Sequence, residues 1–480
     1  MRRAFRFWLW LPLLACGLSA AAQTGSQEAE QPHRLRSSAE ERESLSITIY
    51  NQGFGLVRER RSLELGRGRV RLDFGDVAAT IQPETVHIRS LGKDTLHVLE
   101  QNYQYDLLSP QKLLEKYVGR RVKVLRWNEV TGRDEERDAE VLAVNGGTIL
   151  KIGNEITFNY PGRISFPEIP ENLIAKPTLS WLLDSGQRRQ DLEVSYLARQ
   201  LDWKADYVFV INADDTRGDL TGWVTLTNQS GASYEDARLK LVAGQVQRVT
   251  PEVDRRVRPS TMALESARAG FAEEGFFEYH LYTLERPTTI LHNEQKQVTL
   301  LEGSDISVDK KLIFYGASQY YRGSYGQVIS NQKVGVYLDF QNSEENRLGM
   351  ALPKGIVRVY KADSEGSLQF IGEDEIDHTP RDEEIRIKMG ESFDVVGDRR
   401  QMRFKSLGRC ASESTWEVEL RNHKDEDARV EVFEPIGGDW EILSSSHPPE
   451  RLDANTFKFE VEIAARGRQK IDYRVHVRWC

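Results

Sequence analysis

From Leu45 to the end of the chain, apolar and polar side chains alternate in short runs. A period of two is the mark of strands with one face in a core and the other in water. Ile47, Ile49, Leu56, Val70, Leu72, Phe74, Val86, Ile88, Leu96 and Val98 follow it, broken by Gly66, Gly68, Gly75 and Gly92, and predict a β module over residues 45–105. Ser109 then precedes Pro110, an N-cap before a residue preset for the first helical turn, so a short helix is expected through Tyr117, ended by Gly119. Very short strands follow at 122–125, 139–142, 148–152 and 155–158. A helix leading into such strands suggests a small SH3-like or Sm-like barrel over residues 106–170.

Residues 171–405 keep the alternation and predict a central β-sandwich, with a hairpin around residues 214–218. The pattern fails over residues 251–275, expected to be a mobile surface insertion. It is cleanest over residues 406–480, where runs at 416–420, 430–432, 457–463 and 471–479 predict an immunoglobulin-like sandwich. Trp416, Val418, Leu420, Phe457, Phe459, Tyr473, Val475, Val477 and Trp479 are expected to share its core, with Arg478 on the opposite face. The fold class is therefore all-β and multidomain: antiparallel sandwiches, one small barrel and one short helix.

Composition adds the compartment. The chain has 480 residues, of which 39% are hydrophobic and 29% charged, so it is globular material long enough for several domains. Its formal charge of -9 argues against nucleic-acid binding through overall charge. Residues 1–22 carry Arg2, Arg3 and Arg6, an apolar stretch from Phe7 to Leu18, and a run of small residues, which is the layout of a secretory signal peptide. Ala20 and Ala22 predict cleavage before Gln23; the alternative is a lipoprotein box ending in Cys16, which would anchor the chain by a lipid. Residues 23–44, nearly free of apolar side chains, are expected to be a flexible leader. Beyond Cys16 the chain has Cys410 and Cys480, neither in a CxxC, and their spacing leaves open whether they pair in an oxidising compartment.

Candidate chemistry is sparse. Ser109 and Lys112 match the spacing of an S-x-x-K motif, which an N-cap serine explains equally well. Asn212, Asp214 and Thr216 begin like a calcium loop but lack its glycine and closing glutamate. The nine histidines are scattered, and phosphate-loop, dinucleotide and nucleophile-elbow motifs are missing, so no catalytic residue, metal site or cofactor is expected. Glu373, Asp374, Glu375, Asp377 and His378 form an acidic run, readable as a solvated loop or as an acid/base pair for glycoside cleavage. Tyr320, Tyr321 and Tyr325 lie among glycines and serines with one charge, Arg322. They read either as a contact surface for a glycan or protein, or as a loop packed back onto the sandwich.

Several runs carry a resemblance. Residues 202–207 (Asp-Trp-Lys-Ala-Asp-Tyr), Gly222-Trp223-Val224 with Asn228-Gln229-Ser230-Gly231, residues 277–282 with Arg286-Pro287-Thr288-Thr289, and Arg421-Asn422-His423-Lys424 with Gly438-Asp439-Trp440 resemble secreted bacterial proteins carrying domain of unknown function 4139. More distantly, the chain is similar to the mucoidy inhibitor A proteins. The resemblance implies β architecture and export, and no catalytic residue. Together these readings lead to an exported, non-catalytic binding or scaffold module of the bacterial envelope, its partner an envelope protein or glycan; the alternative is a glycan-directed hydrolase using the carboxylates from Glu373 to His378.

Overall fold

A computed structural model describes residues 32–480, apart from residues 93–95, 105, 159, 171–172, 175, 245 and 249–270. The signal peptide, Cys16, most of the leader and residues 251–270 of the expected insertion lie outside the described residues. The described chain is built of antiparallel strands with a few parallel pairings and one α-helix, so the all-β, multi-sandwich class holds.

Residues 45–105 are not a module of their own. The strand Phe54–Glu64 pairs along its whole length with Arg189–Arg199, and Arg42–Tyr50 pairs in parallel with Arg238 to Val242 of the strand Tyr234–Ala243. Strands of four sheets enclose one core that runs from Leu45 to Ile387 in sequence. The physical reason is area: a few short strands bury too little apolar surface alone, and later strands supply the missing face. The leader also differs. His33–Ser37 is a strand in parallel register with Val70 to Phe74, followed by a 3-10 turn, Ala39–Glu41, closed by a reciprocal capping box between Ser38 and Glu41. Main-chain pairing and an Arg34–Asp73 ion pair at 2.6 Å order a segment that has little apolar area to bury.

The small module is an insertion, because the strands flanking it, Leu96–Gln104 and Thr178–Ser185, pair with each other. Its helix, Pro110–Lys116, is capped by Ser109. Its sheet runs in the order Glu155–Phe158, Ile149–Ile152, Arg133–Ala143, Arg121–Asn128, Arg163–Ser165. The last strand returns beside the first, but the two outer strands do not pair, so the expected barrel stays an open sheet around Tyr117, Val122, Val124, Ala139, Val141 and Leu150.

The boundary expected at residue 406 is also displaced. The C-terminal nine-stranded sheet takes in Asp309–Tyr315, Gln327–Gln341 and Glu384–Ser406. The last two are long enough to serve two cores: Val334 and Val395 pack in the C-terminal one, whereas Leu338, Phe340, Ile385 and Ile387 pack in the larger one. Residues 271–275, assigned to the mobile insertion, belong to the strand Phe271–Phe276, a hairpin partner of Tyr279–Leu284. Trp479 lies just beyond the closing strand Arg468–Arg478, half-buried at the edge of the core.

An internal repeat underlies the layout. Glu235-Asp236-Ala237-Arg238-Leu239 recurs as Glu426-Asp427-Ala428-Arg429-Val430. Each copy follows a buried asparagine that ends a strand. Asn228 donates to the Ala232 and Leu291 carbonyls at 2.8 and 3.0 Å and accepts from the Ser230 N–H; Asn422 donates to those of Glu426 and Ala464 at 2.8 and 3.2 Å and accepts from the Lys424 N–H. The amide plugs the crossover from one sheet to the next, satisfying carbonyls that the strand ladder leaves free.

Candidate functional site

The strand Leu201–Ile211 runs through the middle of a five-stranded sheet, in the order Glu294–Ser307, Arg217–Asn228, Leu201–Ile211, Gly355–Ala362, Leu368–Ile376. Strand alternation divides its residues cleanly. Trp203, Ala205, Tyr207, Phe209 and Ile211 are buried in the large core. Asp202, Lys204 and Asp206 point the other way. Register brings Trp223 opposite Asp206, Thr225 opposite Lys204, Gln297 opposite Thr225, and Glu373 opposite Arg358.

These side chains form a hydrogen-bonded row across all five strands. Gln297 Nε2 donates to Thr225 Oγ1 at 3.1 Å, Thr225 donates to Asp206 Oδ2 at 3.1 Å, Arg358 Nη1 donates to Asp206 Oδ1 at 3.0 Å, and Arg358 Nε lies 3.2 Å from Glu373 Oε2. The bond to Asp206 holds the Arg358 guanidinium above its ordinary pKa. Two adjoining clefts open on this row. One, about 430 Å³, is lined by Lys204, Asp206, Thr225, Gln295, Gln297 and Arg358. The other, about 270 Å³, shares Lys204 and Asp206 and adds Asn51, Asp202, Lys354 and Glu375 among others. Partial burial raises the Asp202 carboxyl above its usual value, against the backbone N–H groups of Trp203 and Gly53. Beyond Arg358 on the same face, Tyr360 meets Phe370 edge to face at 5.7 Å, and Phe370 is 54% exposed.

The residues singled out in the sequence lie elsewhere or in other roles. Tyr321, readable from sequence as a ligand contact or as part of a loop packed back onto the sandwich, is fully buried: its hydroxyl donates to Glu434 Oε2 at 2.7 Å and lies 2.9 Å from the Tyr473 hydroxyl. Glu434 in turn holds the equally buried Arg399 at 2.6 Å. Burial pushes both tyrosine hydroxyls well above their ordinary pKa. Tyr320 is half-buried against Trp416, and Tyr325 stacks edge-on to Tyr320 while remaining 44% exposed. The glycine-rich loop thus packs back onto its sandwich, because its rings offer more apolar area than water tolerates. Cys410 and Cys480 form a disulfide with a Cα–Cα distance of 5.6 Å, fixing the end of the chain to the start of the strand Ala411–Asn422.

The acidic run is spread over a strand and the turn after it. Glu373 faces Arg358, Glu375 lies 3.1 Å from Lys354, Asp374 accepts from the Lys388 N–H, and Asp377 is 88% exposed. His378, its pKa lowered by burial, accepts from the Lys354 N–H at 3.1 Å. Of these residues, only Glu375 lines one of the two clefts. Among the described residues no group of three or more His, Cys, Asp or Glu side chains is arranged to hold a metal, and no helix is long and apolar enough to cross a membrane. Larger clefts of about 570 and 510 Å³ flank the 3-10 turn Ala39–Glu41, but they follow the seam between sheets, where Lys176 is bonded to Asp76 and Arg34 to Asp73.

The polar row escapes sequence reading because its members come from five strands whose register is set only on folding. The available signal was the outward set Asp202, Lys204 and Asp206 within an otherwise apolar strand.

The fold and this face define an all-β protein of interlocked sandwiches with a polar sheet surface open to solvent. Residues 192–480 match the family described as Domain of unknown function (DUF4139), and the chain belongs to it. No curated protein matches the chain. The matched segment begins inside the strand Arg189–Arg199, whose antiparallel partner Phe54–Glu64 lies outside it.

Proposed function

We propose that this protein is exported and serves in the bacterial envelope as a non-catalytic binding or scaffold module, with the outward face of the five-stranded sheet as its binding surface. The signal-like residues 1–22 support export. The observation that carries the binding role is the polar row itself, a set of side chains bonded to one another across five strands, with Asp206 and Thr225 buried at its middle and Gln297 and Glu373 exposed at its ends. Asp206, Glu373 and Glu375 each face a cation, which suits a preformed recognition surface more than a proton-transferring pair, in which the environment drives two carboxyl pKa values apart. Fractionation of the native host with intact-mass measurement tests the first half: a chain beginning at Gln23 outside the cytoplasm is expected, and a cytoplasmic chain that retains residues 1–22 would overturn it. Co-sedimentation with isolated envelopes tests the second half. Lys204→Glu should abolish it, whereas envelope-glycan cleavage that disappears in Glu375→Gln would replace the binding role with the hydrolase reading.

A further inference from the structure

The geometry points to a carbohydrate chain as the ligand of this face, an inference that rests on the binding surface just described. The two clefts meet at Lys204 and Asp206 and together form a trough across the strands rather than an enclosed pocket. Five strands at a spacing of about 4.8 Å give it a length of roughly 19 Å, enough for several sugar rings and more than a compact metabolite fills.

The chemistry of the trough selects among polymers. Lys204, Arg358 and Lys354 stand against Asp202, Asp206 and Glu375, with Glu373 paired to Arg358 outside the cleft lining, so both signs are interleaved and no single sign dominates. A polyanion is drawn to a continuous run of cations, and this surface has none. A sugar hydroxyl both donates and accepts, and interleaved carboxylates, amides, ammonium and guanidinium groups satisfy it in either sense. The row is held in place by its own bonds, so little side-chain freedom remains to be lost on binding. It also keeps spare capacity. The Gln295 amide has no partner among the described residues, Lys204 is 58% exposed, and Asn51 Oδ1, at the wall of the smaller cleft, is buried without a donor. Trp223 beside Asp206, and Phe370 with Tyr360 beyond Arg358, add ring surfaces against which the C–H faces of sugars pack.

The test titrates the full chain by calorimetry with cellohexaose, chitohexaose and mannohexaose as neutral probes, and hexagalacturonate and polyphosphate as acidic ones. At least one neutral hexasaccharide is expected to bind. Lys204→Met and Gln297→Ala, both at solvent-facing positions, are each expected to weaken it about tenfold, the worth of one or two hydrogen bonds to a charged or amide group, with thermal unfolding unchanged. Arg478→Ala, in the C-terminal sheet, should leave binding as it is. Binding to the acidic probes alone, binding to none of the five, or equal binding by the wild type and the two trough variants would each overturn the carbohydrate assignment. Envelope co-sedimentation separates this failure from that of the surface itself: if it is lost in Lys204→Met and Gln297→Ala while no sugar binds, the face binds a protein; if it persists in both, the face is not the binding surface.

Discussion

Replacing Glu434 by glutamine keeps the side chain's shape but removes its charge and one of its two acceptor oxygens. Glu434 and Arg399 have fully buried side chains 2.6 Å apart, and the other contacts of the guanidinium are weak: Nη1 reaches the Tyr315 carbonyl at 3.2 Å and Gln332 Oε1 at 3.5 Å, and Nε has no partner. Water has no room to compensate, since a Cβ at Gly316 would already meet Glu434 Oε2 at 2.3 Å. Removing one member of such a pair costs about 3–5 kcal/mol, because the remaining ion stays desolvated and unmatched. The glutamine carbonyl can accept from Arg399 or from Tyr321 but not from both, since each now holds a different carboxylate oxygen; lost charge and lost acceptor together should fall near 4 kcal/mol, a large share of the roughly 5–15 kcal/mol that holds a domain folded. Urea unfolding followed by tryptophan fluorescence reads it, as Trp416 packs 5.7 Å from Tyr321. The double variant Arg399→Met with Glu434→Leu, which removes both charges, should recover most of the stability. If Glu434→Gln costs less than about 1 kcal/mol, or if the double variant is no better than the single one, the pair does not carry a buried charge and the reasoning fails.

Reducing the Cys410–Cys480 disulfide, which closes a separation of 70 residues, should lower the C-terminal urea midpoint by the equivalent of about 4 kcal/mol on loop-entropy grounds; an unchanged midpoint in Cys410→Ser with Cys480→Ser would contradict this. Trp479→Ala should cost about 1–2 kcal/mol, below the 3–5 of a fully enclosed aromatic, because Trp479 is half-buried, and Arg478→Ala, whose partner Asp439 is 71% exposed, should stay within about 0.5 kcal/mol; melts of both variants decide the order. Burial pushes the Asp339 carboxyl up, but the hydrogen bonds from Arg386 and Lys311 win and hold it below its ordinary value, and Arg421 does the same for Asp398 despite burial. Carboxyls so depressed stabilise the fold fully above the unfolded value near pH 4 and lose that contribution as pH falls through their folded values, so unfolding free energy should drop below about pH 4, and less steeply in Asp339→Asn. A fragment spanning residues 192–480 should be aggregated or unfolded, since the strand partner of Arg189–Arg199 is missing; a monodisperse, cooperatively melting fragment would show that residues 45–64 are dispensable.

Within the C-terminal sandwich, alternation alone assigned Val418, Leu420, Phe457, Phe459, Val475 and Val477 to the core, and all are buried. The signal is local there: side-chain direction follows from strand geometry, so neighbours two apart share a face whatever the partner strand is. The helix cap at Ser109 was legible for the same reason, being a contact between residues three apart. What chain position could not reveal was which strands meet. Phe54–Glu64 finds its partner more than a hundred residues away, and Gln327–Gln341 and Glu384–Ser406 each serve two cores, so boundaries drawn along the chain at residues 105 and 405 do not divide the folded protein. The same holds for chemistry. A run of carboxylates from Glu373 and a cluster of tyrosines near Tyr321 stand out in one dimension, yet alternation spreads the first over two faces and apolar area draws the second inward. Gln297, Thr225, Asp206, Arg358 and Glu373 are unremarkable in sequence and become a single surface only because main-chain hydrogen bonds align five strands in one register. Local periodicity determines what each strand turns toward water; only the long-range pairing of strands determines which of those residues stand side by side.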